Sequence, residues 1–256
     1  MIPLVTVILC ITMLGTAFLS GIFGMAGGMI LIGVLLALLP LPEAMMLHGV
    51  TQMASNGWRA ALWIRHVRWR SVLPYVAGGL VSLWLWSLTQ YVPGKPLALL
   101  LLGVTPFMAR LMPKSLKPDP ESIVQGVIYG MLCVGLILLT GVAGPLIDTF
   151  FLGGKHFDRK EIVATKSCCQ VFGHLTKLIY FGGLISQGAS VDPIMAVLAI
   201  LMSMLGTTLA ARVLEKMTDT QFRTWANRVI TTIAGYYVVQ GSYLLMVAKT
   251  GLSLGF

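Results

Sequence analysis

The sequence predicts an all-α polytopic membrane protein made of two inverted repeats, each a glycine-broken helical hairpin followed by three transmembrane helices. Three observations carry this. First, 57% of the 256 residues are hydrophobic and only 11% are charged, whereas a soluble domain carries about 25% charged residues. Second, apolar runs long enough to cross a hydrocarbon core of ~30 Å follow one another along the whole chain. Third, two of those runs are interrupted by glycine clusters, SGIFGMAGG at 20–28 and TGVAGP at 140–145, about 120 residues apart.

The chain opens MIPLVTVILCITMLGTAFLSG, with no Lys or Arg before Arg59. A secretory signal has a basic segment ahead of its apolar core, so this stretch reads as a retained first membrane segment. Full spans are expected at 44–64, 72–90, 96–112, 161–183, 191–212 and 221–247. The remaining apolar stretches, 3–40 and 121–153, are too long for one crossing. As straight helices they would reach roughly 50 Å. Each is therefore expected to bend into a hairpin of two short helices at its glycine cluster, with Pro145 removing a helical donor just after the second break.

The loops give an orientation. Basic residues gather at Arg65, Arg68 and Arg70, at Arg110, Lys114 and Lys117, at Lys155, Arg159 and Lys160, and at Arg212 and Lys216. Loops rich in Lys and Arg face the cytoplasm. Tracing spans between them puts both ends of 3–40 outside and both ends of 121–153 inside. Residues 1–118 and 119–256 are thus expected to form two membrane repeats of opposite orientation within one integral domain. Gly21 and Gly24 match Gly141 and Gly144, and Gly33 matches Gly153, all at a spacing of 120.

The net charge of +9 lies in these short loops, so it reads as topology and not as a nucleic-acid surface. Cys10, Cys133, Cys168 and Cys169 all fall in apolar segments without metal-ligand or disulfide-framework spacing. No GxxxxGK[ST] motif occurs, so ATP hydrolysis by this chain is not expected. No cofactor or metal is called for.

Candidate functional residues form two matching stripes. His48, Gln52, Asn56 and Arg59 step by 4, 4 and 3, and so do Lys166, Gln170, His174 and Lys177, at a spacing of 118. Such steps keep residues on one helical face. With Thr51 and the break glycines Gly24, Gly27 and Gly144, they make a candidate substrate site rich in cations and hydrogen-bond donors. That composition suits an oxyanion, and half-helices starting at the breaks would add unpaired N–H groups. Arg59, Lys166 and Lys177 either face this site or snorkel to the interface. Asp148, the one acid deep in an apolar stretch, is the proton-coupling candidate, or else it pairs with a neighbouring lysine.

The stretches SGIFGMAGGMILIGVLLALLPLPEA and TGVAGPLIDTFFLGG, each followed by a polar-striped helix, resemble the sulfite exporter TauE/SafE family over nearly the full chain. Here Pro145 interrupts the glycine run usual in the second half, and of the helix opening Ala-x-Ala-Thr only Ala164-Thr165 is present. The resemblance implies a transporter of sulfite, sulfonates or related organic acids. The expectation is a multi-pass secondary transporter of the bacterial inner membrane, exporting a small anion, with membrane lipid around it and a homodimer possible. It would be driven by the anion's own gradient, the membrane potential or protons. It is not expected to be an enzyme. The competing readings are a membrane-embedded enzyme or thiol-disulfide protein using Cys168, Cys169 and His174, and an anion channel.

Overall fold

The computed structural model of the chain describes residues 3–23, 26–111, 118–152, 157–184, 190–214, 216 and 219–250. These form ten α-helices and no strands: α1 Pro3–Phe23, α2 Ala26–Leu38, α3 Leu41–Leu62, α4 Trp69–Thr89, α5 Lys95–Leu111, α6 Ile123–Thr140, α7 Gly144–Leu152, α8 Arg159–Ile179, α9 Pro193–Leu214 and α10 Asp219–Thr250. A helix occupies each of the six stretches expected to span. The loop lysines Lys114, Lys117 and Lys155, and the break residues Gly24 and Gly153, lie outside the described residues.

Five helices, α1, α4, α6, α9 and α10, are long and apolar enough to cross a membrane. Large side chains such as Leu73, Leu132, Ile194 and Val239 stand exposed on them. In water this would be costly; against lipid it is the expected solution. By contrast, α3 and α8 fall outside this set because the polar stripes lower their hydropathy. They pack on each other and turn those stripes inward.

Local sequence explains the helix boundaries. Pro42 near the start of α3 needs no helical donor there. Ser122 caps α6 by accepting from the Gln125 N–H. Asp158 and Glu161 form a reciprocal capping box at the start of α8. A single π-type turn at Tyr180–Leu184 continues α8.

The two hairpins differ from expectation in one respect. Their arms are unequal: α1 has 21 residues and α2 has 13, while α6 has 18 and α7 has 9. The breaks thus sit past the midpoint of each stretch, since the apolar runs before them continue the helix; α6 ends at Gly141. Gly141 takes φ 89°, the left-handed cap that a side chain disfavours. A Cβ on Gly27 would lie 1.8 Å from the Thr16 carbonyl, so this glycine lets α2 lie back against α1.

Around the α3–α8 pair, α1 packs on α9, α4 on α6 and α5 on α10; α2 touches α10 and α7 touches α5. Glycines set the closest approaches. A Cβ on Gly130 would meet the Tyr75 carbonyl at 2.0 Å, and one on Gly78 the Val127 carbonyl at 1.9 Å, which locks α4 onto α6.

Candidate functional site

The two polar stripes face each other. A Cβ on Gly49 would touch Leu178, and one on Gly57 would touch Val171, so α3 and α8 run antiparallel. Period-3.6 spacing on two antiparallel helices then stacks the stripes into one ladder between them.

At one level of this ladder a hydrogen-bonded chain joins both breaks. His48 Nε2 lies 3.0 Å from the Gly28 carbonyl near the start of α2. On the other side of the ring, Lys177 Nζ lies 2.6 Å from His48 Nδ1 and donates to the Gly141 carbonyl at 3.1 Å. A carbonyl only accepts, so His48 carries its proton on Nε2 and accepts from lysine at Nδ1. Both side chains are fully buried. The His174 ring stands edge-on to His48 with centroids 5.5 Å apart. Lys177 therefore does not snorkel; it points inward.

Beside this chain lies a small enclosed cavity of about 10 Å³, lined by Gly28, Gln52, Ile137, Val142, Ala143, Gly144, Ile147, Gln170 and His174. It has the room of about one water. Gln52 Nε2, Gln170 Oε1 and His174 Nδ1 are buried without a hydrogen-bond partner. Buried polar atoms are nearly always paired, so these three have hydrogen-bonding capacity that the surrounding protein does not use. The first turns of α2 and α7 also reach this cavity; in α7 Pro145 has no N–H and the Leu146 and Ile147 N–H groups donate to the Ala143 carbonyl, so the Gly144 N–H is the donor left at that end.

The ladder continues past the cavity. Asn56 Nδ2 donates to the Gln52 carbonyl at 2.9 Å and Arg59 Nη1 donates to Asn56 Oδ1 at 3.4 Å, while Arg59 Nη2 is buried without a partner. Lys166 Nζ donates to Asp148 Oδ1 at 2.5 Å, an ion pair between α8 and α7.

Of the residues singled out from sequence, the structure brings Gln52, Gly144, Gln170 and His174 to the cavity wall; His48 and Lys177 are not part of that wall, and His48 adjoins it through its bond to Gly28. It does not bring Thr51 there: its hydroxyl donates to the Leu47 carbonyl of its own helix at 2.7 Å. Gly27 packs on α1, and Asn56, Arg59 and Lys166 lie further along the ladder. Gly24 is outside the described residues. Sequence reasoning missed Gly28, whose carbonyl anchors His48, and the Gly141 carbonyl that holds Lys177. Gly28 does stand 120 residues before Asp148, the same interval as the glycines, and that was the available signal.

Among the described residues no group of His, Cys, Asp and Glu could hold a metal ion. Cys10, Cys133, Cys168 and Cys169 are free thiols.

A family model described as Sulfite exporter TauE/SafE matches residues 8–237. Searches of curated proteins and of solved structures find no match.

Proposed function

Because the chain belongs to the sulfite exporter TauE/SafE family, we propose that it carries a small sulfur oxyanion, such as sulfite or a sulfonate, outward across the bacterial inner membrane. The observation that carries this reading is the cavity at the two breaks. There Gln52, Gln170 and His174 hold unpaired polar atoms, the first turns of α2 and α7 converge, and Lys177 lies behind the wall, bonded to His48. Half-helix N-termini and side-chain donors such as Gln52 Nε2 recognise oxyanions, while Gln170 and His174 can donate only after the amide turns or the ring takes a proton on Nδ1.

The mechanism we infer is alternating access between two inverted repeats, residues 1–118 and 119–256. Its support is that the main helix pairs are preserved when α1 to α5 are exchanged with α6 to α10. Under that exchange α1 on α9 becomes α6 on α4, and α2 on α10 becomes α7 on α5. Single contacts obey it as well. His48 on Gly28 in one half corresponds to Lys166 on Asp148 in the other, at the spacings of 118 and 120. A cavity of about 10 Å³ is smaller than any sulfur oxyanion, which suits an occluded carrier between outward and inward states. The anion would separate the halves, accept a hydrogen bond from Gln52 Nε2 and, once the Gln170 amide turns its Nε2 inward, from Gln170, and find charge compensation at Lys177.

The test is a thermal-shift screen of purified protein against sulfite, sulfate, thiosulfate and small sulfonates, followed by flux in proteoliposomes. One or more sulfur oxyanions should stabilise the protein and move with saturable kinetics. No stabilisation and no flux would refute the proposal, and flux that never saturates would make it a channel.

A further inference from the structure

We propose that the anion travels together with one proton, and that the His48–Lys177 pair is where this proton rides. The inference rests on the transporter reading and adds the coupling ion to it.

Hydrogen counting at the pair leads there. With His48 Nε2–H given to the Gly28 carbonyl, Lys177 Nζ makes two donations, to His48 Nδ1 and to the Gly141 carbonyl. A neutral amine has two N–H groups, and both are then used. An ammonium would have a third N–H, and Lys177 Nζ makes no third hydrogen bond to the described residues. It would also be an unpaired charge in a closed site, because the carboxylate nearest in the ladder, Asp148, is bound by Lys166. An isolated buried charge is among the costliest arrangements in a protein interior.

The groups facing the pair do not change this balance. From α8 comes His174, edge-on to His48. From α2 come the Gly28 carbonyl and the Met29 carbonyl, the latter accepting from Tyr237 of α10. The end of α6 gives only the Gly141 carbonyl. Tyr180, in the π turn beyond Lys177, donates to the Tyr91 carbonyl. On α3 itself, Arg59 lies about 16 Å further along the helix at 1.5 Å per residue. On α7, the Asp148–Lys166 pair has no net charge.

An anion entering the site alone would bring a charge that the neutral His48–Lys177 pair does not compensate. One proton solves both problems. The amine of Lys177 takes the proton, the resulting ammonium aims its third N–H at the oxyanion, and the site stays neutral overall. On release the ammonium gives the proton back and the chain between the two breaks is again fully satisfied. One anion and one proton therefore move in the same direction with no net charge, so export runs on the anion's own outward gradient and carries a proton out with it.

The experiment uses full-length protein in proteoliposomes with methanesulfonate, which stays ionised at every pH used and cannot itself carry the proton. A gradient of one pH unit, acidic outside, should accumulate the sulfonate about tenfold inside, because a pH unit is worth 1.36 kcal/mol per proton. An internal pH dye should report one proton per sulfonate, and a potassium diffusion potential should have no effect. Lys177→Arg, whose guanidinium does not release its proton, should lose accumulation driven by pH. Wild-type flux that follows the potential and ignores the pH gradient would overturn the proposal, even if the variant does not fold. So would pH-driven accumulation that persists in Lys177→Arg. No flux of any oxyanion by the wild type would instead bring down the transporter reading beneath it.

Discussion

Lys177 Nζ and His48 Nδ1 stand 2.6 Å apart although 129 residues separate them in the chain. His48 reaches on to Gly28 of the first hairpin, and Lys177 to Gly141 of the second. Two side chains thus tie the backbone of one helix break to that of the other. A lysine near the end of an apolar helix usually leans out toward water. This one is drawn inward because the end of α6 leaves the Gly141 carbonyl inside the protein without a helical donor.

Lys177→Met keeps the bulk but removes both donations. The Gly141 carbonyl and His48 Nδ1 would be left buried and unpaired, at about 1–3 kcal/mol for each such group. The expected result is a folded protein in detergent with a lowered melting temperature and no anion-induced stabilisation. A melting temperature equal to that of the wild type would show that the tie contributes nothing to the packing.

Glycines at two places should fail in two different ways. Gly144→Leu puts bulk into the cavity wall, so transport should be abolished while the protein still inserts and folds. Gly130→Ala places a methyl 2.0 Å from the Tyr75 carbonyl and must push α4 from α6, costing roughly 1–3 kcal/mol. Flux and melting temperature, measured on both variants, should move separately. Full flux in Gly144→Leu would remove the cavity from the transport path.

Outside the membrane, the capping box at Asp158 gives a pH dependence. The Glu161 backbone N–H, and to a lesser extent the Lys160 N–H and the charges of His66 and Lys160, hold the Asp158 carboxyl below its ordinary value. A depressed folded value means a contribution that is present above the unfolded value of about 3.9 and is lost as pH falls through the folded one. The difference in melting temperature between wild type and Asp158→Ala should be constant near neutral pH and shrink toward zero in acid. A difference that grows in acid would contradict the cap.

Orientation is testable by labelling. In a background with its cysteines replaced, Ser190→Cys should react with an impermeant thiol reagent from the periplasmic side. Asp119→Cys should react only after permeabilisation; both positions are exposed. The opposite pattern, or labelling of both from one side, would overturn the inverted arrangement.

The helices and their breaks were largely legible in the sequence, because both depend on local chemistry. Apolar runs make the helices, and glycine with proline ends them. The polar stripes were legible too, since a 4, 4, 3 spacing selects one face of a helix whatever surrounds it. What each stripe residue does was not legible. Thr51 has the same polarity as its neighbours, yet its hydroxyl turns back to the Leu47 carbonyl. Gly27 and Gly28 are adjacent, and only the packing of α2 on α1 decides which of them meets the cavity. Lys177 could not be distinguished from an interfacial lysine until the Gly141 carbonyl was seen beside it. These assignments depend on which helix lies opposite, and that is a tertiary fact.

The most direct measurement of the central claim is oxyanion affinity in wild type, Gln52→Ala and Gln170→Ala, with the ligand taken from the thermal-shift screen and melting temperature as the control for folding. Gln52 and Gln170 face one cavity from the two halves of the chain. A hydrogen bond to a charged group contributes about 1.5–3 kcal/mol, so each variant should bind roughly 10- to 150-fold more weakly than the wild type. Unchanged affinity in both, with intact folding, would contradict a substrate site between α3 and α8.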